Sequence, residues 1–111
     1  MNWTAKQVWE LVKDWPEEAW TPFWFGYTES HTDGPTFYEQ CGPIMPTTAM
    51  YVLMGCGLEW LAKQRTYAIC GTRVYTGNYD SPLREWDIFD GRTLFEAVSA
   101  AVLAAKGGGN G

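Results

Sequence analysis

Apolar residues recur at helical spacing in three stretches of the chain and follow extended-chain patterns between them. The clearest stretch is Leu94 to Ala105. Leu94, Ala97, Val98, Ala101, Val102 and Ala105 follow the i, i+3, i+4, i+7 rule and form one face. Thr93 stands at the N-cap position, and Glu96, three residues on, completes a capping box. Lys106 suits the negative end of the helix dipole, and Gly107 suits its termination. A first helix is expected from Thr4, with Gln7 completing its capping box and Trp3 placed to staple against Val8. Its buried stripe is Val8, Leu11, Val12 and Trp15, with Trp9 on the flank, and Pro16 ends it or opens a short turn to Ala19. A second helix, capped by Thr47 or Thr48, carries Met50, Leu53, Met54, Gly57, Leu58 and Leu61 on one face. Gly55 and Gly57 weaken it locally or let a neighbour pack closely.

Between these helices the pattern turns extended. From Thr21 to Ser30 aromatics fall on both faces, as expected of a strand covered on both sides or one with a functional outer face. His31 to Pro35 carries Asp-Gly-Pro turn chemistry, and Thr36 to Cys41 reads as the return strand of a hairpin. Tyr67 to Thr76 reads as a third strand and Gly77 to Pro82 as a turn. Leu83 to Phe89 reads as a fourth strand, with Trp86 and Ile88 on one side and Glu85, Asp87 and Phe89 on the other. Asp90-Gly91 ends it. The order α-β-β-α-β-β-α predicts an α+β fold, an antiparallel four-stranded sheet with three helices packed on it. Residues 1–106 form one domain and residues 107–111 a flexible glycine-rich tail.

Pro46-Thr47-Thr48 leading into a helix, a hairpin bearing Trp86, and the short Ala-rich helix from Ala97 to Ala105 together resemble small phage and prophage domains described as α-β-α sandwiches. The resemblance spans residues 43–106 and rests on pattern. It implies a phage-related origin and a compact fold. It implies no established chemistry and brings no catalytic residues with it.

Composition narrows the function classes. The chain has 111 residues, enough for one core, and a net charge of −5 with no basic run. That argues against binding to a phosphate backbone or an anionic membrane surface. No apolar run is long enough to span a membrane, and residues 1–15 lack the pattern of a signal peptide. Cys41, Cys56 and Cys70 are widely spaced and form no C-x-x-C, so three reduced thiols and a cytoplasmic location are expected.

Catalytic signals are sparse. The nucleotide-binding, acyl-transfer and zinc-protease motifs are absent. His31 lies between Glu29 and Asp33, too few converging ligands for a metal, and reads as a loop histidine. Cys41 and His31 occupy opposite arms of the first hairpin, but nothing fixes their register or supplies a third orienting group. Asp80, Glu85, Asp87 and Asp90 give the second hairpin an acidic edge, which guards a strand against aggregation or holds a carboxylate pair. Ser30, Ser81 and Ser99 have no evident base beside them. No metal or cofactor is expected.

Seven Trp, six Tyr and five Phe exceed what a core of this size readily absorbs, because Trp is seldom fully buried. Trp9, Trp20, Trp24, Tyr27 and Tyr38 are therefore candidates for an aromatic binding patch, with roofing of a small core as the competing role. The expected function is a small noncatalytic interaction module that binds a protein partner or itself. The alternative is a small-molecule-binding domain or small hydrolase with an aromatic pocket.

Overall fold

A computed structural model describes residues 3–20, 26–30, 34–40 and 42–107. The elements run in chain order: α1 (Ala5–Val12), a 3-10 turn (Glu17–Ala19), β1 (Gly26–Ser30), β2 (Gly34–Glu39), β3 (Gly42–Ile44), α2 (Pro46–Gln64), β4 (Thr66–Cys70), β5 (Arg73–Gly77), a second 3-10 turn (Leu83–Glu85), β6 (Asp87–Asp90) and α3 (Leu94–Gly107).

The two capping boxes read from sequence are both formed. The Thr4 hydroxyl accepts from the Gln7 amide at 3.1 Å, and Gln7 Oε1 accepts from the Thr4 amide at 3.0 Å. The Thr93 hydroxyl accepts from the Glu96 amide at 3.3 Å, and Glu96 Oε1 accepts from the Thr93 amide at 3.1 Å. The expected cap of α2 is corrected. Its N-cap is Met45, with Pro46 in the first turn and no side-chain cap bond. Proline's fixed φ preorganises that first turn, and its missing N–H removes one of the donors a cap would satisfy.

The sheet is corrected as well. The fold is α+β with antiparallel strands, but there are two three-stranded sheets, β1-β2-β3 and β4-β5-β6, rather than one of four. Two local events cause this. Gly42-Pro43-Ile44 adds a short third strand beside β2, pairing Phe37 with Ile44 and Tyr38 with Pro43. Proline is tolerated there because β3 lies at the sheet edge, where an amide need not donate. Tyr67 to Thr76, expected as one strand, folds back on itself. Gly71, at φ +63°, and Thr72 make a two-residue turn that sets Cys70 against Arg73. The expected strand from Leu83 shortens to β6, preceded by the 3-10 turn, and α1 stops at Val12 rather than Trp15.

A single core joins these pieces. Val8 and Val12 of α1, Leu53 and Leu61 of α2, Val74 of β5, and Phe95, Val98 and Val102 of α3 are fully buried in it. The first sheet packs on α1 and α2, while β5 and β6 of the second pack on α3. The expected stripe of α3 is buried at Ala97, Val98, Ala101, Val102 and Ala105. Gly57 is where α2 comes closest to its neighbours: a Cβ there would stand 2.7 Å from Trp15 and 3.3 Å from Val102. Gly107 closes α3, and the rest of the expected tail, residues 108–111, lies outside the described residues.

Candidate functional site

The five aromatic candidates do not share one environment. Trp9 projects from α1 and stacks on Tyr27 of β1, ring centroids 4.5 Å apart and planes 7° from parallel. Phe37 of β2 completes the cluster, 5.0 Å from Tyr27 and 6.5 Å from Trp9. The register explains it, since Tyr27 pairs directly with Phe37 and both face α1. The Tyr27 hydroxyl donates to Glu29 Oε1 at 2.8 Å. Desolvation, then that bond and the Glu29 charge, push the Tyr27 phenol up to about 12. Tyr38, one residue beyond Phe37, lies on the opposite face of β2 and is half-buried. Trp20 follows the first 3-10 turn and packs against the core, with its indole Nε1 buried and without a hydrogen-bond partner among the described residues. Trp24 lies outside the described residues, as do His31, Asp33 and Cys41.

The other chemical candidates fall into structural roles. Ser99 is buried on α3, donates to the Leu11 carbonyl at 2.6 Å and accepts from Trp15 Nε1 at 3.0 Å. Its hydroxyl is thus committed to tying α1 and Trp15 to α3. The acidic edge is divided by the pleat, because Asp87 and Asp90 are three residues apart and face opposite sides of β6. Asp90 accepts from Arg73 Nε at 2.6 Å and Asp87 lies 3.5 Å from Arg65, so neither is half of a carboxylate dyad. Burial first, then the Glu59 charge, raise the Cys56 thiol above its ordinary range, which disfavours the reactive thiolate. Cys70 is exposed and free. Among the described residues no group of three or more His, Cys, Asp or Glu is placed to hold a metal, and no helix is long and apolar enough to cross a membrane.

A surface feature is built around Trp3. Its indole meets Phe95 edge-on, with centroids 5.5 Å apart at 86°. A cleft opens on each side of it, and each measures about 370 Å³. One cleft is chiefly apolar, lined by Met50, Tyr51, Met54, Leu94 and Phe95. The other is lined by Gln7, Glu10, Leu11, Arg92 and Glu96, so charged side chains border a lining that is likewise chiefly apolar. Tyr51 is 61 % exposed at the rim, and Met45 on the approach to α2 is 71 % exposed. Arg92 has no ion-pair partner among the described residues. Methionine adapts to irregular apolar surfaces, and Tyr and Trp give large contact areas at small entropic cost.

Sequence reasoning placed Trp3 as a staple and Met50 and Met54 on a core stripe, and so missed this surface. The available signal was Tyr51 beside that stripe, one large aromatic carried outward by the turn of the helix. No protein family, curated protein or solved structure matches the chain.

Proposed function

We propose that this chain is a small noncatalytic interaction module that binds a protein partner through its aromatic-rich surface, with the phage-related ancestry that its second half resembles. The observation that carries this reading is Trp3, which lines two clefts, both chiefly apolar and one of them bordered by charged side chains. Such a pair fits a peptide segment that seats one large apolar side chain beside Met50 and Met54 and sets an acidic group against Arg92. The volume of each cleft falls at the low end of the range for small-molecule sites, and that supports ligand binding as the second reading.

Selection from a displayed random-peptide library tests the first reading. Enriched peptides should pair a bulky apolar residue with Asp or Glu. Tyr51→Ala and Arg92→Glu should each weaken their binding about tenfold or more, with the circular dichroism spectrum unchanged. Failure to enrich any such peptide, or binding indifferent to both substitutions, sinks it.

A further inference from the structure

Four strands lie at sheet edges: β1 and β3 in the first sheet, β4 and β6 in the second. Outer strands expose unpaired amides and carbonyls, and proteins protect them with charge, proline or bulges. Three of the four carry such protection. β1 contains Glu29, β3 contains Pro43, and β6 begins at Asp87 and ends at Asp90.

The fourth edge is different. β4 reads Thr66-Tyr67-Ala68-Ile69-Cys70, with no charge, no proline and no glycine. Thr66, Tyr67 and Ile69 favour strands, and all five residues but Tyr67 are exposed. Ile69 is 40 % exposed although its position in the register puts it on the core-facing side with Val74 and Phe89. The two flanking arginines are already neutralised within the chain, Arg65 by Asp87 and Arg73 by Asp90.

We propose that β4 pairs antiparallel with β4 of a second copy, across a two-fold axis at Ala68, giving one continuous sheet with three strands from each molecule. The hydrogen-bond phase is right for it. The two-residue turn makes Cys70 and Arg73 a bonded pair, so by alternation Ala68 and Thr66 also bond inward to β5. The amides and carbonyls of Tyr67 and Ile69 therefore point out of the sheet. Centring on Ala68 aligns all five residues and sets Tyr67 of each copy against Ile69 of the other, where they exchange both backbone bonds. The half-exposed Ile69 side chain is then covered by a tyrosine. A second copy is the favoured occupant because this edge is compatible with itself in length, phase and charge. The proposal does not depend on the Trp3 clefts, and either can fail without the other.

Sedimentation velocity on the full chain, from about 5 to 500 µM, tests it, since an interface of one strand pair belongs to the weak size class. A monomer–dimer equilibrium is expected, and Ile69→Lys should raise its dissociation constant about tenfold or more while leaving the circular dichroism spectrum intact. A second variant reads the register. Two Ala68 residues facing each other in a non-bonded pair have Cα atoms about 4.5 Å apart, within disulfide range. In a Cys70→Ser background, Ala68→Cys should give a covalent dimer on mild oxidation, whereas Tyr79→Cys in that background should not. A monomer at every concentration overturns the proposal and leaves the edge to a strand from another protein. A dimer that Ile69→Lys does not weaken overturns it equally, because association then runs through a different surface.

Discussion

Gly55 and Gly57 lie two residues apart in one helix, and their surroundings give them opposite roles. At Gly55 an added Cβ meets nothing within 4 Å; at Gly57 it would stand 2.7 Å from the Trp15 ring. Gly55→Ala should stabilise the fold by about 0.5–1 kcal/mol through helix propensity alone. Gly57→Ala gains the same propensity but must displace a buried indole, and should destabilise by about 1–3 kcal/mol net. Urea midpoints of the two variants check the opposite signs. Tyr27 gives a second prediction at this scale. Its phenol titrates near 10 when unfolded and at about 12 when folded, so the native state holds the proton more tightly. The associated stability is complete below pH 10 and is lost as pH rises towards 12. Urea titrations at pH 9 and pH 11.5 should show a smaller loss of stability in Tyr27→Phe than in the parent. Equal losses would mean that Tyr27 is not tightened by the fold.

At the scale of elements, what could be read from the sequence followed how local the determinants are. Thr4 with Gln7 and Thr93 with Glu96 were legible because a capping box closes over three residues and needs no distant partner. Thr93→Ala removes the hydroxyl that caps the Glu96 amide and should cost about 1 kcal/mol, seen as a Tm lower by about 4–6 °C. An unchanged Tm would mean that tertiary contacts alone hold the start of α3. The strands were less legible. Residues 67–76 are strand formers broken only by Gly71-Thr72, and a continuous strand and a tight hairpin share that composition. Gly42-Pro43-Ile44 looked like a loop because a three-residue strand has almost no period to detect, and its pairing is set by β2. The alternation of β6 was legible, with Ile88 and Phe89 on opposite faces, but it is the acidic side carrying Phe89 that faces the core, while Ile88 is exposed.

For the whole molecule, the expected arrangement was helices laid on one sheet, whereas two small sheets pack on the three helices through a single core. That difference decides where the surplus aromatics go. Trp9, Tyr27 and Phe37 become the seam between α1 and the first sheet, and Trp15 is anchored to Ser99 on α3. With those rings occupied as packing, Trp3 lines two open clefts, and Tyr51 stands at the rim of one of them. The same arrangement gives the molecule four outer strands, of which β4 alone among the described strands has no charge, proline or glycine. The proposed partner site and the proposed self-pairing edge draw on different residues.

The sequence by itself determined the three helices, the capping boxes of α1 and α3, the buried stripe of α3, the antiparallel α+β class and the acidic surface. These depend on residue identity and on spacings of three or four positions, which act before any long-range contact forms. Only the tertiary structure decided that strands divide into two sheets, that Ser99 bridges Trp15 and Leu11, and which aromatics pack and which remain open. Those outcomes depend on pairing between residues tens of positions apart, where many partners have nearly equal local merit and the shared core selects among them.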